Sequence, residues 1–164
     1  MAETSSPPPP HLERPASQLM SAWWNLTQVM KHQVAPMLER EHNVGFKDFV
    51  ALNAIDGGAN YPRLMCERLS VPPSGVSRML EDLTRRELVI RSLDPEDSRR
   101  VKLEITPKGR AILEAARETM LSLLDSGLSE LPEEQVRLFA GTLRQLSDLM
   151  ARAAERQHTE RQEK

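Results

Sequence analysis

A mainly α-helical chain interrupted by one two-stranded β-hairpin is the architecture this sequence predicts, and three observations carry it. Apolar residues recur at three-to-four spacing from Leu19 to Met37, from Leu113 to Leu124 and from Val136 to Ala153, which is the period of one helical face. Val101, Leu103 and Ile105 alternate with the polar Arg100, Lys102 and Glu104, the period of a half-buried strand. Just before that strand lie two short apolar-striped segments, read as two short helices joined by a tight turn.

Taken in order, the first 15 residues include four consecutive prolines, which offer no helix and little to bury, so this start is read as unstructured. "SQLMSAWWNLTQVMKHQVAPMLEREH" reads as one long helix with Leu19, Trp23, Leu26, Met30, Val34 and Met37 on a stripe and a kink expected at Pro36. Met20, Trp24, Val29 and Leu38 lie off that stripe, which is more apolar surface than a monomer's surface helix buries and implies a partner chain. "GFKDFVALNAID" is a short buried helix closed by Gly57-Gly58; "NYPRLMCERLSV" is another, with Asn60 as its expected cap and Pro62 in its first turn.

In "PPSGVSRMLEDLTRRELVIR", Val76, Leu80 and Leu83 form an inward stripe, while Ser74, Arg78, Glu81 and Arg85 lie opposite, with Ser77 beside them. "LVIR", Leu88 to Arg91, pairs with the alternating strand as an antiparallel hairpin; Asp94-Pro95 supplies turn chemistry and Arg99 and Arg100 fall near the tip. Thr106-Pro107 then reads as an N-cap and first helical position. From Pro132 onward Val136, Phe139, Leu143, Leu146, Met150 and Ala153 keep heptad spacing. That seam suits an intramolecular core stripe or a dimer interface; beside the over-apolar first helix it is read as the latter. The polar run after Ala154 is expected to fray.

The length of 164 residues suits one domain. The polar, proline-rich start has no apolar signal core, and no apolar run reaches the roughly 18 residues of a membrane span, so a cytoplasmic protein with no membrane partner is expected. A single cysteine allows no intrachain disulfide. The net charge of -2 hides an uneven distribution. Residues 1–62 carry 4 basic and 6 acidic side chains, 63–110 carry 11 and 8, and 111–164 carry 7 and 10, so the one positive segment contains the hairpin.

Two short helices followed by a β-hairpin make a winged helix-turn-helix, and with long helices at both ends the chain resembles the MarR family of bacterial transcriptional regulators from about Leu19 to Met150. The resemblance is carried by "LMCERLSVPPSGVSRMLEDLTRRELVIR" and by "DPEDSRRVKLEITPKG", which is similar to the family's wing in its Asp97-x-Arg99 motif and in Ile105-Thr106 and Gly109. It implies a mainly α fold with a two-stranded β-wing and long N- and C-terminal dimerisation helices. The divisions are a tail at 1–15, a dimerisation helix at 16–45, a DNA-binding lobe at 46–110, dimerisation helices at 111–154 and a polar tail at 155–164.

The function so implied is transcriptional regulation, as repressor or activator with ligand-responsive repression expected, by a homodimer on a pseudo-palindromic double-stranded DNA operator, with no catalysis and no cofactor. Pro73, Ser74, Gly75, Ser77 and Arg78 occupy the recognition-helix positions, and Asp97, Arg99, Arg100 and Lys102 the wing. A major groove admits one helix, and an arginine there can read guanine bidentately. A narrow minor groove concentrates negative potential that a thin arginine-bearing turn can enter. Asp97 is expected to hold Arg99 extended by a charge-assisted hydrogen bond, against the alternative of a solvated surface ion pair. Asn60 and Arg63 read either as phosphate contacts or as a solvated face. The sequence departs from the family at Pro72, where a capping serine or aspartate is common, at Gly75, where serine or threonine is usual, and at Glu87, which replaces a glycine.

Other chemistries find little support, since the sequence has no GxGxxG, GxxxxGK, HExxH or GxSxG motif, and its four histidines have no metal-ligand spacing. Cys66 suits a small apolar position, and the first helix lacks the cysteine of the family's peroxide sensors. A metal- or redox-responsive regulator, or a helical protein-interaction dimer that does not bind DNA, are the alternatives. Family members bind small aromatic or phenolic compounds between the dimer helices and the DNA-binding lobe. Trp23, Trp24 and Asp48 are the residues suited to such an effector, unless the tryptophans are core and Asp48 faces solvent.

Overall fold

Pro15 opens the first helix at a position where its missing N–H is no loss, and α1 runs Pro15–Val29. The computed structural model describes residues 14–162 apart from 96 and 98, so the proline-rich start lies outside the described residues. At Pro36, where a kink is expected, the helix changes its hydrogen bonding. The proline cannot donate to the carbonyl one turn earlier, and the helix absorbs the missing bond in a π-turn, Met30–Val34, where the Ala35 N–H bonds the Met30 carbonyl. Helix α2, Ala35–His42, follows directly and ends at Asn43 in the left-handed region.

Helix α3 is Phe46–Asp56, α4 Pro62–Leu69, α5 Pro73–Arg85, strand β1 Val89–Leu93, β2 Val101–Ile105, α6 Pro107–Leu128 and α7 Glu133–Gln162. The strands are antiparallel, with Val89 opposite Ile105 and Leu93 opposite Val101. The last helix does not end at Ala154. It continues to Gln162 because the polar run contains no glycine or proline and is rich in strong helix formers.

The chain divides into two units after Thr119. In the first, α3, α4, α5, the hairpin and α6 close around Leu52, Met65, Leu80, Leu83, Val89, Leu103 and Leu113, all essentially inaccessible to water. At roughly 1.5 to 3 kcal/mol per fully buried large aliphatic side chain, this cluster dominates the unit's stability. Val34, Leu38 and Val44 are also buried. In the second unit, the later turns of α6 and all of α7, no described residue is fully buried, and Leu138, Phe139, Leu149 and Met150 are exposed.

Candidate nucleic-acid interface

Helices α4 and α5 are joined by a turn built on local chemistry. Ser70 ends α4 with φ 52°, and the Val71 N–H bonds the Cys66 carbonyl at 3.2 Å. Pro72 gives α5 no side-chain cap, but its carbonyl accepts from the N–H groups of Gly75 and Val76 at 2.9 and 3.1 Å. Gly75 has a packing reason: a Cβ there would lie 2.6 Å from Cγ1 of Val71. Helix α5 buries Val76, Leu80 and Leu83, so Pro73, Ser74, Ser77 and Arg78 face water as the 3.6-residue period requires. Arg78 lies back along its own helix, Nε donating to the Ser74 carbonyl at 3.3 Å.

The hairpin is locked at its root. Glu87 takes the left-handed conformation, φ 60°, so a side chain sits here under backbone strain. The Leu88 N–H bonds the Leu83 carbonyl at 2.9 Å, and the Thr106 hydroxyl donates to the Glu87 carbonyl at 2.7 Å. Thr106 also caps α6 as expected, accepting from the Gly109 N–H at 2.9 Å. Gly109 is obligatory for contact: a Cβ would lie 2.1 Å from the Leu88 carbonyl oxygen.

At the tip, the Asp94 N–H bonds the Arg100 carbonyl at 2.9 Å and the Arg100 N–H bonds the Asp97 carbonyl at 2.8 Å. The expected Asp97 to Arg99 side-chain bond is not formed. Asp97 accepts from the Arg99 backbone N–H at 3.1 Å and pairs its other oxygen with Arg100 Nε at 3.3 Å. The aspartate therefore shapes the turn backbone, an Asx-type role, and the pairing passes to the next arginine. Among the described residues the guanidinium groups of Arg78 and Arg99 form no ion pair, which leaves their charge available to a polyanion. Lys102 sits 3.7 Å from Glu104, an exposed pair of little energetic weight.

Asn60 is not the cap of α4. Tyr61 holds that position with φ -128° and no side-chain cap bond, because the Asn60 carbonyl is drawn to the sheet edge, accepting from the Leu103 N–H at 2.8 Å. Arg63 is exposed and bonded to Glu67 at 3.0 Å. Tyr61 and Asp94, neither of which the sequence marks as functional, meet at 2.5 Å between the tyrosine hydroxyl and a carboxylate oxygen.

Two ion networks brace this frame. Burial pushes the Arg86 pKa down, but hydrogen bonds to Asp48 at 2.7 Å and Asp82 at 3.3 Å outweigh it, so the group lies above its ordinary value. Arg86 also donates to the Asn43 carbonyl, tying the end of α5 to the end of α2. Hydrogen bonds from Arg117 at 2.7 Å and Arg110 at 2.9 Å hold the Asp56 carboxyl below the usual range against a smaller effect of burial, and so fasten α3 to α6.

The effector residues are not gathered together. Asp48 is mostly covered, bonds the Gly45 N–H at 3.2 Å and pairs with Arg86, so it is neither solvent-facing nor free for a ligand. It borders an open groove of about 610 Å³ within the lobe, beside Phe46, Val71, Gly75 and Arg78. Trp24 borders a separate hollow with Met20, Ser21 and Asn25, and Trp23 and Trp24 are 56% and 64% exposed, so neither is core within this chain. Among the described residues no cluster of three His, Cys, Asp or Glu side chains is placed for a metal ion, and Cys66 is half-buried.

Residues 47–109 match the family model of the winged helix DNA-binding domain. No curated protein matches the chain. Among solved structures, the transcriptional regulator BldR of Sulfolobus solfataricus is 25% identical, covering 82% of this chain and 99% of its own, with a TM-score of 0.64. MepR of S. aureus bound to DNA is 23% identical over 84% of this chain and 99% of its own, TM-score 0.65. S. aureus MarR in complex with salicylate and kanamycin is 15% identical over 87% and 96%, TM-score 0.75. The class this defines is one of fold: residues 47–109, which match the winged helix DNA-binding model, have its helix pair followed by a β-hairpin. More particularly, the chain carries the fold of BldR, a transcriptional regulator, and of a solved MarR-family transcription regulator that is 17% identical, with a TM-score of 0.67.

Proposed function

We propose that this protein is a sequence-specific DNA-binding transcription regulator that works as a homodimer on a pseudo-palindromic operator in the cytoplasm. The lobe at 46–110 binds DNA, and the segments 16–45 and 111–154 supply the dimer helices. The observation that carries the reading is the pairing, within one winged helix domain, of an α5 whose outer face is Ser74, Ser77 and Arg78 with a wing whose tip bears Arg99 and Arg100. On this reading Arg78 swings off the Ser74 carbonyl to a base edge, while the exposed Pro73 meets the backbone and Gly75 lets the helix start pack on Val71. Arg99 enters the minor groove; Arg100, Lys102, Asn60 and Arg63 meet phosphates, their exposed ion pairs being weak enough to exchange.

Dimerisation is supported by apolar surface that each unit leaves open: Leu19, Met20, Trp23, Trp24 and Leu26 on α1, and Leu138, Phe139, Leu149 and Met150 on α7. A second copy covers them and sets two recognition helices about 34 to 36 Å apart, one DNA turn. No described helix is long and apolar enough to cross a membrane. Small aromatic acids or phenols act as effectors by favouring a dimer geometry that mis-spaces those helices, and the exposed Trp23 and Trp24 are the flat surfaces that receive them. The S. aureus MarR complex with salicylate supports that ligand class.

The test is selection of duplexes from a random pool by the purified chain, with sedimentation of the protein alone. An enriched inverted repeat and a dimer at low micromolar concentration are expected. Recovery of no sequence, with no salt-sensitive binding to any duplex, would leave a helical interaction protein instead.

A further inference from the structure

The tip of the wing is the part of the lobe least held by packing. At its strand ends Leu93 and Val101 stand opposite each other, yet both are exposed, whereas Val89 and Leu103 nearer the root are inaccessible. Apolar burial therefore fixes the root and leaves the tip to polar contacts.

Two such contacts reach the wing from the start of α4. The Asn60 carbonyl accepts from the Leu103 N–H at 2.8 Å, and the Tyr61 hydroxyl donates to Asp94 at 2.5 Å. Asp94 is only 8% exposed and is the residue whose N–H closes the tip loop by bonding the Arg100 carbonyl at 2.9 Å. A short bond to a carboxylate is charge-assisted and directional, so it fixes orientation as well as distance. The chain of contacts runs from Tyr61 through the Asp94 carboxylate and backbone to Arg100, and through Asp97 to Arg99.

We propose that Tyr61, through its hydrogen bond to Asp94, positions the tip of the wing so that Arg99 enters the DNA groove. Tyr61 is a positioning residue, distinct from the groove contacts themselves, and the inference rests on the DNA-binding reading above. It also links the two readers mechanically: α4 precedes the recognition helix, so a shift of the helix pair is carried to the wing.

The test is a double-mutant cycle of Tyr61→Phe and Arg99→Ala, read as affinity for the duplex the wild-type chain selects, with far-ultraviolet circular dichroism confirming the fold. Tyr61→Phe is expected to weaken binding on the order of tenfold in the wild-type background, the scale of one hydrogen bond to a charged group. In the Arg99→Ala background it is expected to change affinity less than about twofold, because the group it positions is gone. Losses that multiply independently would overturn the proposal, since a merely structural tyrosine behaves that way. So would an unchanged affinity in Tyr61→Phe alone. If Tyr61→Phe disturbs the fold, Asp94→Asn, which keeps an acceptor but removes its charge, enters the same cycle with the same two outcomes. A wild-type chain that selects no duplex marks failure of the DNA reading instead.

Discussion

Gly109→Ala adds one methyl group at the place where α6 crosses the root of the wing. That methyl would lie 2.1 Å from the Leu88 carbonyl oxygen, 2.9 Å from its carbon and 3.0 Å from Cγ2 of Ile105. Ordinary carbon to oxygen contact is about 3.3 Å or more, so α6 and the backbone before β1 must separate by more than about an ångström. The obstacle is a carbonyl, which has no rotamer to turn aside. It is also the carbonyl that accepts from the Thr106 N–H at 3.1 Å, so the displacement loosens a bond at the root as well. Overpacking against movable side chains costs about 1 to 3 kcal/mol, and a backbone clash belongs at or above the upper end. At roughly 2 to 4 °C per kcal/mol for a chain of this size, a loss of about 3 kcal/mol lowers Tm by about 6 to 12 °C. Thermal unfolding of wild type and variant at one protein concentration measures it. A Tm within about 1 °C of wild type would refute the steric reasoning.

Glu87→Gly is expected to stabilise the fold by about 0.5 to 1 kcal/mol, because relief of the left-handed strain exceeds the entropy that glycine adds to the unfolded chain; urea titration with an unchanged or lower midpoint would contradict it. Asp56, whose folded pKa lies below its unfolded value of about 3.9, contributes stability that is full above that value and lost as pH falls through the lower folded value. Asp56→Asn should therefore lower the urea midpoint at pH 7 and flatten its decline on acidification, and an unaltered acid profile would count against the Arg110–Asp56–Arg117 brace. Arg78→Ala is expected to relax preference at one position of each half-site, a loss of about 1 to 3 kcal/mol against the preferred base only. Equal weakening towards all single-base variants would make Arg78 a phosphate contact.

Much of this was legible in sequence because it rests on local periodicity. The inward stripe Val76, Leu80, Leu83 fixes which way Ser77 and Arg78 face, and the alternation from Val101 to Ile105 fixes the second strand, both as observed. Thr106 could be read as a cap from its place before Pro107. What escaped depends on contacts distant in sequence. Asn60 loses the cap to Tyr61 because a strand more than forty residues away, at Leu103, takes its carbonyl. Asp48 looks like a free carboxylate on an apolar helix until Arg86, from the end of α5, arrives beside it. Near neighbours can mislead too: Asp97 lies two residues from Arg99, but the turn delivers its carboxylate to Arg100. Tyr61 carries no local signal beyond its place before Pro62, and Asp94 looked like ordinary turn chemistry.

The central claim, that the wing and α5 together bind duplex DNA, meets its most direct test in the salt dependence of binding to a selected duplex by the wild-type chain and by Arg99→Ala. Each phosphate neutralised contributes about -0.9 to the slope of log K against log salt. Wild type is expected to give a steep negative slope on an inverted repeat, and Arg99→Ala a weaker affinity and a slope shallower by roughly one unit per wing engaged. Identical affinity and slope in the two proteins, with the fold of each intact, would contradict the claim.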